Sequence, residues 1–227
     1  MIFKKTIQLI GKEKFELLQK SSVLVIGLGG VGGHAVESLV RSGVGEIIIV
    51  DQDIVDESNI NRQIIALHST IGIPKTTVTK KRLLDINKDL RITAYHTFYN
   101  LETKNKIFNH KIDYVIDAID TVTFKIDIIK ECLNRHIPFI SVMGQGNKLH
   151  PELLEISEIT KTSYDPLAKI IRVKLRKENI KGKVPVIYSK EEPHSQDTTK
   201  RAPASSSLVP PAAGILAASY IINKIIE

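Results

Sequence analysis

A doubly wound α/β fold is what this chain of 227 residues predicts: a mainly parallel sheet with an antiparallel extension and a closing helix. Three observations predict it. From Val23 to Val142, short β-branched and aliphatic runs alternate with longer segments of helical apolar spacing, the order that places parallel strands beneath helices on both faces. The first of those runs passes directly into a glycine-rich turn. Beyond Gly144 the pattern changes: Leu153 to Ile159 alternates with period two, as an antiparallel strand does, and the chain ends on an apolar helix.

The stretch around which the rest is organised begins at Val23. Val23-Leu24-Val25-Ile26 is followed at once by Gly27-Leu28-Gly29-Gly30-Val31-Gly32. A helical segment with apolar residues at Val31, Ala35, Leu39 and Val40 comes next, then a second strand, Ile47 to Val50, closed by Asp51. Strand, G-x-G-x-x-G, helix, strand and acid in this order make the nucleotide-binding βαβ unit of Rossmann-like sheets. Gly27 allows the tight turn, Gly29 lets a phosphate approach the backbone, and Gly32 lets the helix pack close. Gly30 completes the run. The helix N-terminus offers free N–H groups and partial positive charge to an anion. A tight turn with no ligand is the bland alternative for a lone glycine motif; the flanking strands and the placed acid argue against it. Which nucleotide binds is not decided by this unit.

The other elements follow in order. Residues 1–22 read as a leading helix broken at Gly11, with Phe15, Leu17 and Leu18 as apolar anchors. Asp53 to Gln63 is a polar loop beyond the carboxyl end of the second strand, where α/β sheets place ligand groups. Gly72 and Pro74 precede a helix from about Lys75 to Asn87 that is expected to bury Val78, Leu83 and Ile86. Arg91 to Tyr95 is a strand, Leu101 to Phe108 a helix, and Tyr114 to Ile116 a strand ending in Asp117-Ala118-Ile119-Asp120. A helix spans Phe124 to Arg135, and Phe139 to Val142 is a strand. Pro166 opens a basic helix, and Arg172 to Arg201 carries Lys174, Arg176, Lys177, Lys181, Lys183, Lys190 and Lys200. Residues 190–207, polar with Pro193, Pro203 and a serine run, are expected to be mobile. The expected organisation is a nucleotide-binding core at 1–159, a basic, partly mobile substrate-binding insertion at 160–207, and a helix at 208–227 that packs back on the core.

Composition narrows the classes. A hydrophobic share of 42% with 25% charged residues is that of an ordinary globular protein. Met1 to Lys20 has no long uncharged apolar core, so no signal peptide is expected. Leu208 to Ile226 opens on Pro210-Pro211 and holds Tyr220, Asn223 and Lys224, leaving about 16 helical residues where a bilayer needs ~20. It reads as a buried terminal helix, with no membrane insertion. The single cysteine excludes disulfides within the chain and any multi-cysteine zinc site, and the cytoplasm is the expected compartment. A net charge of +7 favours an anionic partner, nucleic acid first, although a generally lysine-rich proteome accounts for it equally.

The segments GLGGVG, IIIVDQD, SNINRQ, IGIPK and DAID together resemble the ThiF/MoeB superfamily of ATP-dependent adenylating enzymes, relatives of the ubiquitin-activating enzymes. Within it, NRQIIAL, DAIDTVTFK, MGQGNKLHP, KTSYDPLAKIIRVKLRK and ASSSLVPPAAG are most similar to the branch that dehydrates threonylcarbamoyladenosine in tRNA. These segments span the chain almost end to end. Two departures stand out. The family pattern has a histidine where this chain has Ile65. Superfamily dimers insert an arginine from the partner's N-terminal segment into the ATP site, whereas here no arginine precedes Arg41, and Lys4 or Lys5 would supply charge without the bidentate fork.

Adenylation joins a carboxylate to the α-phosphate of ATP and expels pyrophosphate. All the reacting groups are anionic, so the site must neutralise charge and hold atoms in line. Asp51 suits the ribose hydroxyls, Arg62 and Lys75 suit phosphates, and Asp120 is placed to hold magnesium that bridges phosphate oxygens. The resemblance assigns the same tasks to these positions, with Asn59 and Asn61 lining the pocket. Arg62, Lys75 and Asp120 are thus the expected catalytic set, ATP and magnesium the expected cofactors. It also implies a tRNA substrate, a homodimer and a possible sulfur-relay protein partner. Singly, each residue has a bland alternative: a capping aspartate, a surface ion pair, a solvated first-turn lysine. Asp53, Asp56 and Asp117 read as structural.

Cys132 lies in a helix between two strands with no histidine or cationic cluster to activate it beyond Lys130 and Arg135, and reads as a buried structural cysteine. That counts against an adenylyltransferase for a ubiquitin-like or sulfur-carrier protein. A ring closure within the threonylcarbamoyl group needs no thiol. Two further classes remain: a nicotinamide-dependent oxidoreductase, which would leave Arg62, Lys75 and Asp120 idle, and a non-catalytic nucleotide-sensing RNA-binding protein.

Overall fold

The computed structural model describes residues 2–194 and 203–227. Two short helices lead in, α1 (Lys4–Ile10) and α2 (Lys12–Lys20), separated by Gly11 at φ +84°. Phe15 and Leu18 anchor α2 in the core, whereas Leu17 is 47% exposed and corrects the expected trio: i and i+3 share the buried face and Leu17 lies off it. The βαβ unit follows as β1 (Ser22–Ile26), α3 (Gly32–Ser42) and β2 (Glu46–Asp51). Then come α4 (Lys75–Ile86), β3 (Arg91–His96), α5 (Leu101–Phe108), β4 (Tyr114–Asp117), α6 (Val122–Asn134) and β5 (Phe139–Val142). After Gly144 the chain forms β6 (Leu154–Glu158), α7 (Pro166–Lys177), β7 (Pro185–Ser189) and α8 (Val209–Ile226).

The seven strands take the order β3-β2-β1-β4-β5-β7-β6. Every neighbouring pair is parallel except β6 with β7, which is antiparallel, with Ile156 opposite Ile187. Strand β1 has Val50 opposite Ile26 on one side and Asp117 opposite Ile26 on the other. The chain winds outward in both directions from that junction, so a crevice opens beyond the carboxyl ends of β1 and β4, the switch point where doubly wound sheets bind ligands. Successive residues of β1 feed opposite layers. Val23 and Val25 pack with α2, α3 and α8, while Leu24 and Ile26 pack with α5, α6 and α7.

Three details depart from expectation. In α4 the buried residues are Lys75, Thr76, Thr79 and Leu83, while Val78 and Ile86 are only half-buried and pack at the margin of the core; of the buried polar residues, Lys75 borders the crevice. Strand β7 is unforeseen. It lies within the stretch dominated by lysines, yet it sits between β5 and β6 in the sheet, and Val186, Ile187 and Tyr188 are buried. Helix α8 has 18 residues and starts before its prolines, which the first turn tolerates because those N–H groups have no partner within the helix. By length and composition α8 could cross a membrane, but Ala213, Ala217, Ala218 and Ile221 are fully buried in the layer with α3. The segment expected to be mobile lies partly, at 195–202 with Lys200 and Arg201, outside the described residues.

Candidate active site

The glycine turn shapes one wall of the crevice. Gly27 has φ +92°, and a Cβ there would lie 2.8 Å from the Ala118 carbonyl oxygen. A Cβ at Gly32 would lie 1.8 Å from the Gly27 carbonyl oxygen, so the start of α3 closes directly on the turn. A Cβ at Gly29 would meet nothing nearer than the Gln63 amide nitrogen at 4.0 Å, so that side of the turn is open to a ligand. Asp51, ending β2, accepts from the Leu28 N–H at 2.6 Å and from the Asp53 N–H at 2.7 Å. Burial raises its carboxyl above the usual carboxylate range, only partly offset by the Lys75 charge and those two N–H groups.

The loop after β2 is held by its own polar groups. Asp56 caps the 3-10 turn Glu57–Asn59 through the Ser58 N–H at 2.8 Å, and Asn59 Oδ1 accepts from the Asp56 N–H at 3.2 Å. Arg62 Nη1 donates to the Ser58 carbonyl and to Asn61 Oδ1, each at 2.8 Å. Asn61 Nδ2 donates to the Ser205 carbonyl at 2.9 Å, tying this loop to the segment that leads into α8. Lys75 is 5% exposed, and its ammonium donates to Asp53 Oδ2 at 2.8 Å. Ile65 is buried with Val55 and Ala66 in a small apolar cluster beneath this loop.

The opposite wall rests on buried charge. Asp117 and Lys125 are both fully buried and meet at 2.7 Å, and Ser141 Oγ donates to the same carboxylate at 2.6 Å. This joins the ends of β4 and β5 to α6. Just beyond it Asp120 is exposed, with no hydrogen bond or ion pair among the described residues. Past β5, Lys148 Nζ donates to the Gly144 carbonyl at 2.8 Å and faces Asp165 Oδ2 at 3.4 Å, while Asp165 caps α7 through the Ala168 N–H.

These walls enclose a cavity of about 970 Å³. Gly27, Gly29, Gly30, Asp51, Asn59, Arg62, Lys75 and Asp120 all line it. Gly32 and Asn61 do not: Gly32 is packed under the turn, and the Asn61 amide is spent on Arg62 and Ser205. Four residues without an expected role belong here: Gln63, Gln145 and Lys148 on the cavity wall, and Lys125 beneath it. The first three lie inside the polar segments SNINRQ and MGQGNKLHP, and their place after β2 and β5 was the available signal; nothing in the sequence marks Lys125 as buried. Gln63 Oε1 and Gln145 Oε1 are buried without a partner, orphaned acceptors of the kind a bound ligand satisfies.

The described residues hold no group of three His, Cys, Asp or Glu side chains able to cage a metal. A lone exposed carboxylate such as Asp120 fits an ion carried largely by phosphate oxygens and water, as magnesium is. Cys132 is fully buried, and burial pushes its thiol far above the usual range.

A sequence model described as the ThiF family matches residues 3–224. The chain belongs to the ThiF family. Among ThiF relatives, it is 45% identical to the tRNA threonylcarbamoyladenosine dehydratase of Bacillus subtilis, across 96% of this chain and 92% of that protein. It is 35% identical to the enzyme of the same name from Escherichia coli, across 82% of this chain and 72% of that one. The crystal structure of the E. coli tRNA N6-threonylcarbamoyladenosine dehydratase, TcdA, in complex with ATP superposes with a TM-score of 0.92 at 32% identity, covering 99% of this chain and 93% of that chain.

Proposed function

We propose that this ThiF-family protein is an ATP-dependent tRNA threonylcarbamoyladenosine dehydratase. The observation that carries the reading is one cavity at the switch point, lined together by an open glycine turn, Asp51, Arg62, Lys75 and Asp120. Similarity along nearly the whole chain to enzymes so named, one of them crystallised with ATP, supports it.

ATP would lie with its ribose hydroxyls on Asp51 and its phosphates against the Gly29 peptide and the N-terminus of α3, whose free N–H groups favour anions. Arg62 and Lys75 would neutralise the phosphates, with Asn59 beside them. Asp120 would hold magnesium, which would supply positive charge against the phosphates. The substrate carboxylate attacks the α-phosphorus, the α–β phosphoanhydride bond breaks, and an acyl adenylate forms. A nitrogen of the same substituent then attacks the acyl carbon, loses its proton, and expels AMP as the ring closes. Intramolecular attack gains from proximity, so the chain's task is to position and to exclude water. No thiol takes part, in keeping with the buried Cys132.

Lys174, Arg176, Lys177, Lys181 and Lys183 are exposed on and after α7, and their charge suits the tRNA backbone. Arg172 is excluded from this set, because its guanidinium is committed to Thr162 and to the Ile159 carbonyl. We further propose that the protein works as a homodimer in the cytoplasm, with Lys4 or Lys5 of the exposed N-terminal segment facing the partner's phosphates, and that a sulfur-relay protein is its candidate partner. Mass spectrometry of nucleosides from modified tRNA incubated with protein and ATP tests the central reading. Loss of one water from threonylcarbamoyladenosine is expected, and an unchanged nucleoside mass contradicts it.

A further inference from the structure

The loop after β5 carries a polar group that the nucleotide chemistry leaves unused. Gln145 is 6% exposed and lines the cavity. Its amide is held one way round: Nε2 donates to the Met143 carbonyl at 3.1 Å, and turning it over would set two oxygens against each other. Its Oε1 is left buried in the cavity wall with no donor. The loop around it is braced on both sides. Lys148 ties back to Gly144 and Asp165, while the Asn147 N–H donates to the Ala204 carbonyl at 2.7 Å and Asn147 Oδ1 accepts from the Ala204 N–H at 2.8 Å. An acceptor held in a fixed place and lacking only a donor is arranged for a ligand N–H.

Few groups in the proposed reaction bring one. Phosphates, ribose ether oxygens and the substrate carboxylate are acceptors. With the ribose hydroxyls on Asp51, the donors left are the adenine amine of ATP and, on the tRNA-borne substituent, the carbamoyl N–H groups and the threonyl hydroxyl. The hydroxyl rotates freely, so the planar N–H is the donor that fixes the direction of the adjacent carboxylate. Asp51 ends β2 and Gln145 follows β5, three strands away in the sheet order. The phosphate site proposed at the β1 turn lies between them in that order, and adenine is attached on the other side of the ribose from the phosphates, so a ribose held at Asp51 directs the adenine amine away from Gln145. We propose that Gln145 is a positioning residue that determines specificity for the modified nucleoside, its Oε1 accepting an N–H from the carbamoyl group and so turning the adjacent carboxylate toward the α-phosphate. This rests on the dehydratase reading above.

Gln145→Met keeps the length and volume of the side chain and removes the acceptor; Gln145→Ala removes it without inserting a new group. Both are compared with the wild type for melting temperature, ATP affinity, binding to tRNA with and without the threonylcarbamoyl group, and steady-state dehydration. KM for modified tRNA is expected to rise about ten-fold, as for one lost hydrogen bond to a buried acceptor. The preference for modified over unmodified tRNA should fall by the same factor, and kcat should fall as well because the carboxylate is no longer turned toward the α-phosphate, with ATP affinity and binding of unmodified tRNA held within about two-fold. An unchanged KM in either folded variant, or a parallel loss of ATP affinity, overturns the assignment. If the wild type leaves modified tRNA unaltered, the dehydratase reading fails and this inference with it; an active wild type with indistinguishable variants refutes the inference alone.

Discussion

Arg62 and Lys75, the proposed phosphate ligands, are each held in place by neighbouring side chains and backbone, Arg62 by the Ser58 carbonyl and Asn61, and Lys75 by Asp53. Arg62→Ala and Lys75→Ala are each expected to lower adenylation by about 10²–10³, the usual loss when one donor to a developing charge is removed. Removing Lys75 leaves Asp53 half-exposed and solvated but deletes a buried aliphatic stem, so a loss of about 1–3 kcal/mol with the fold retained is expected. Wild-type AMP release by either variant would remove it from the site. Lys125 behaves differently. Its ammonium and the Asp117 carboxylate are both fully buried, so Lys125→Met strands a charge and is expected to cost about 3–5 kcal/mol. A urea midpoint within error of the wild type would contradict that. Asp51 was legible because a motif fixes its position. Lys125 was not, because a lysine in a helix normally reads as solvated, and only the tertiary placement of Asp117 turns it inward.

At the scale of elements, helices and strands with strong periodicity were readable, and so was the crevice they create. Strands β1, β2 and β4 carry continuous apolar runs that end at Gly27, Asp51 and Asp117, as strands covered on both faces do. Strand β5 is interrupted by Ser141, whose hydroxyl donates to Asp117. Strand β7 was hidden because PVIYS is short and sits among lysines, so charge density masked the pattern. In α4 the apolar spacing marks the inward side, with Leu83 buried and Val78 and Ile86 packed at its margins, but it gives no sign that Lys75, Thr76 and Thr79 are buried beside them. Helix α8 illustrates how packing overrides propensity. Ala in place of Gly214 would favour the isolated helix by about 1 kcal/mol. Its Cβ would nevertheless lie 2.2 Å from the Val31 carbonyl oxygen and 3.1 Å from the Ala35 nitrogen, both backbone atoms of the α3 start. Gly214→Ala is therefore expected to destabilise the protein by about 1–3 kcal/mol and to weaken ATP binding, because Val31 ends the glycine turn. A raised melting temperature would show that α8 shifts without cost.

For the whole molecule, the proposed function assigns nucleotide chemistry to the crevice and a polyanionic substrate to the lysine-rich face. Replacing Lys174, Arg176, Lys177 and Lys181 together with Gln should weaken tRNA binding and flatten its salt dependence, by about one unit of slope for each phosphate no longer neutralised. ATP affinity should be spared, since none of the four lines the cavity. An unaltered salt slope would place the RNA on another face. The central claim is that ATP is spent to form an acyl adenylate that closes on itself. It is tested most directly by counting products in one reaction: AMP, ADP and dehydrated nucleoside from threonylcarbamoyl-modified tRNA and ATP. One AMP is expected for each nucleoside dehydrated, and no AMP above background with unmodified tRNA. Release of ADP in place of AMP, or dehydration without nucleotide cleavage, would contradict it.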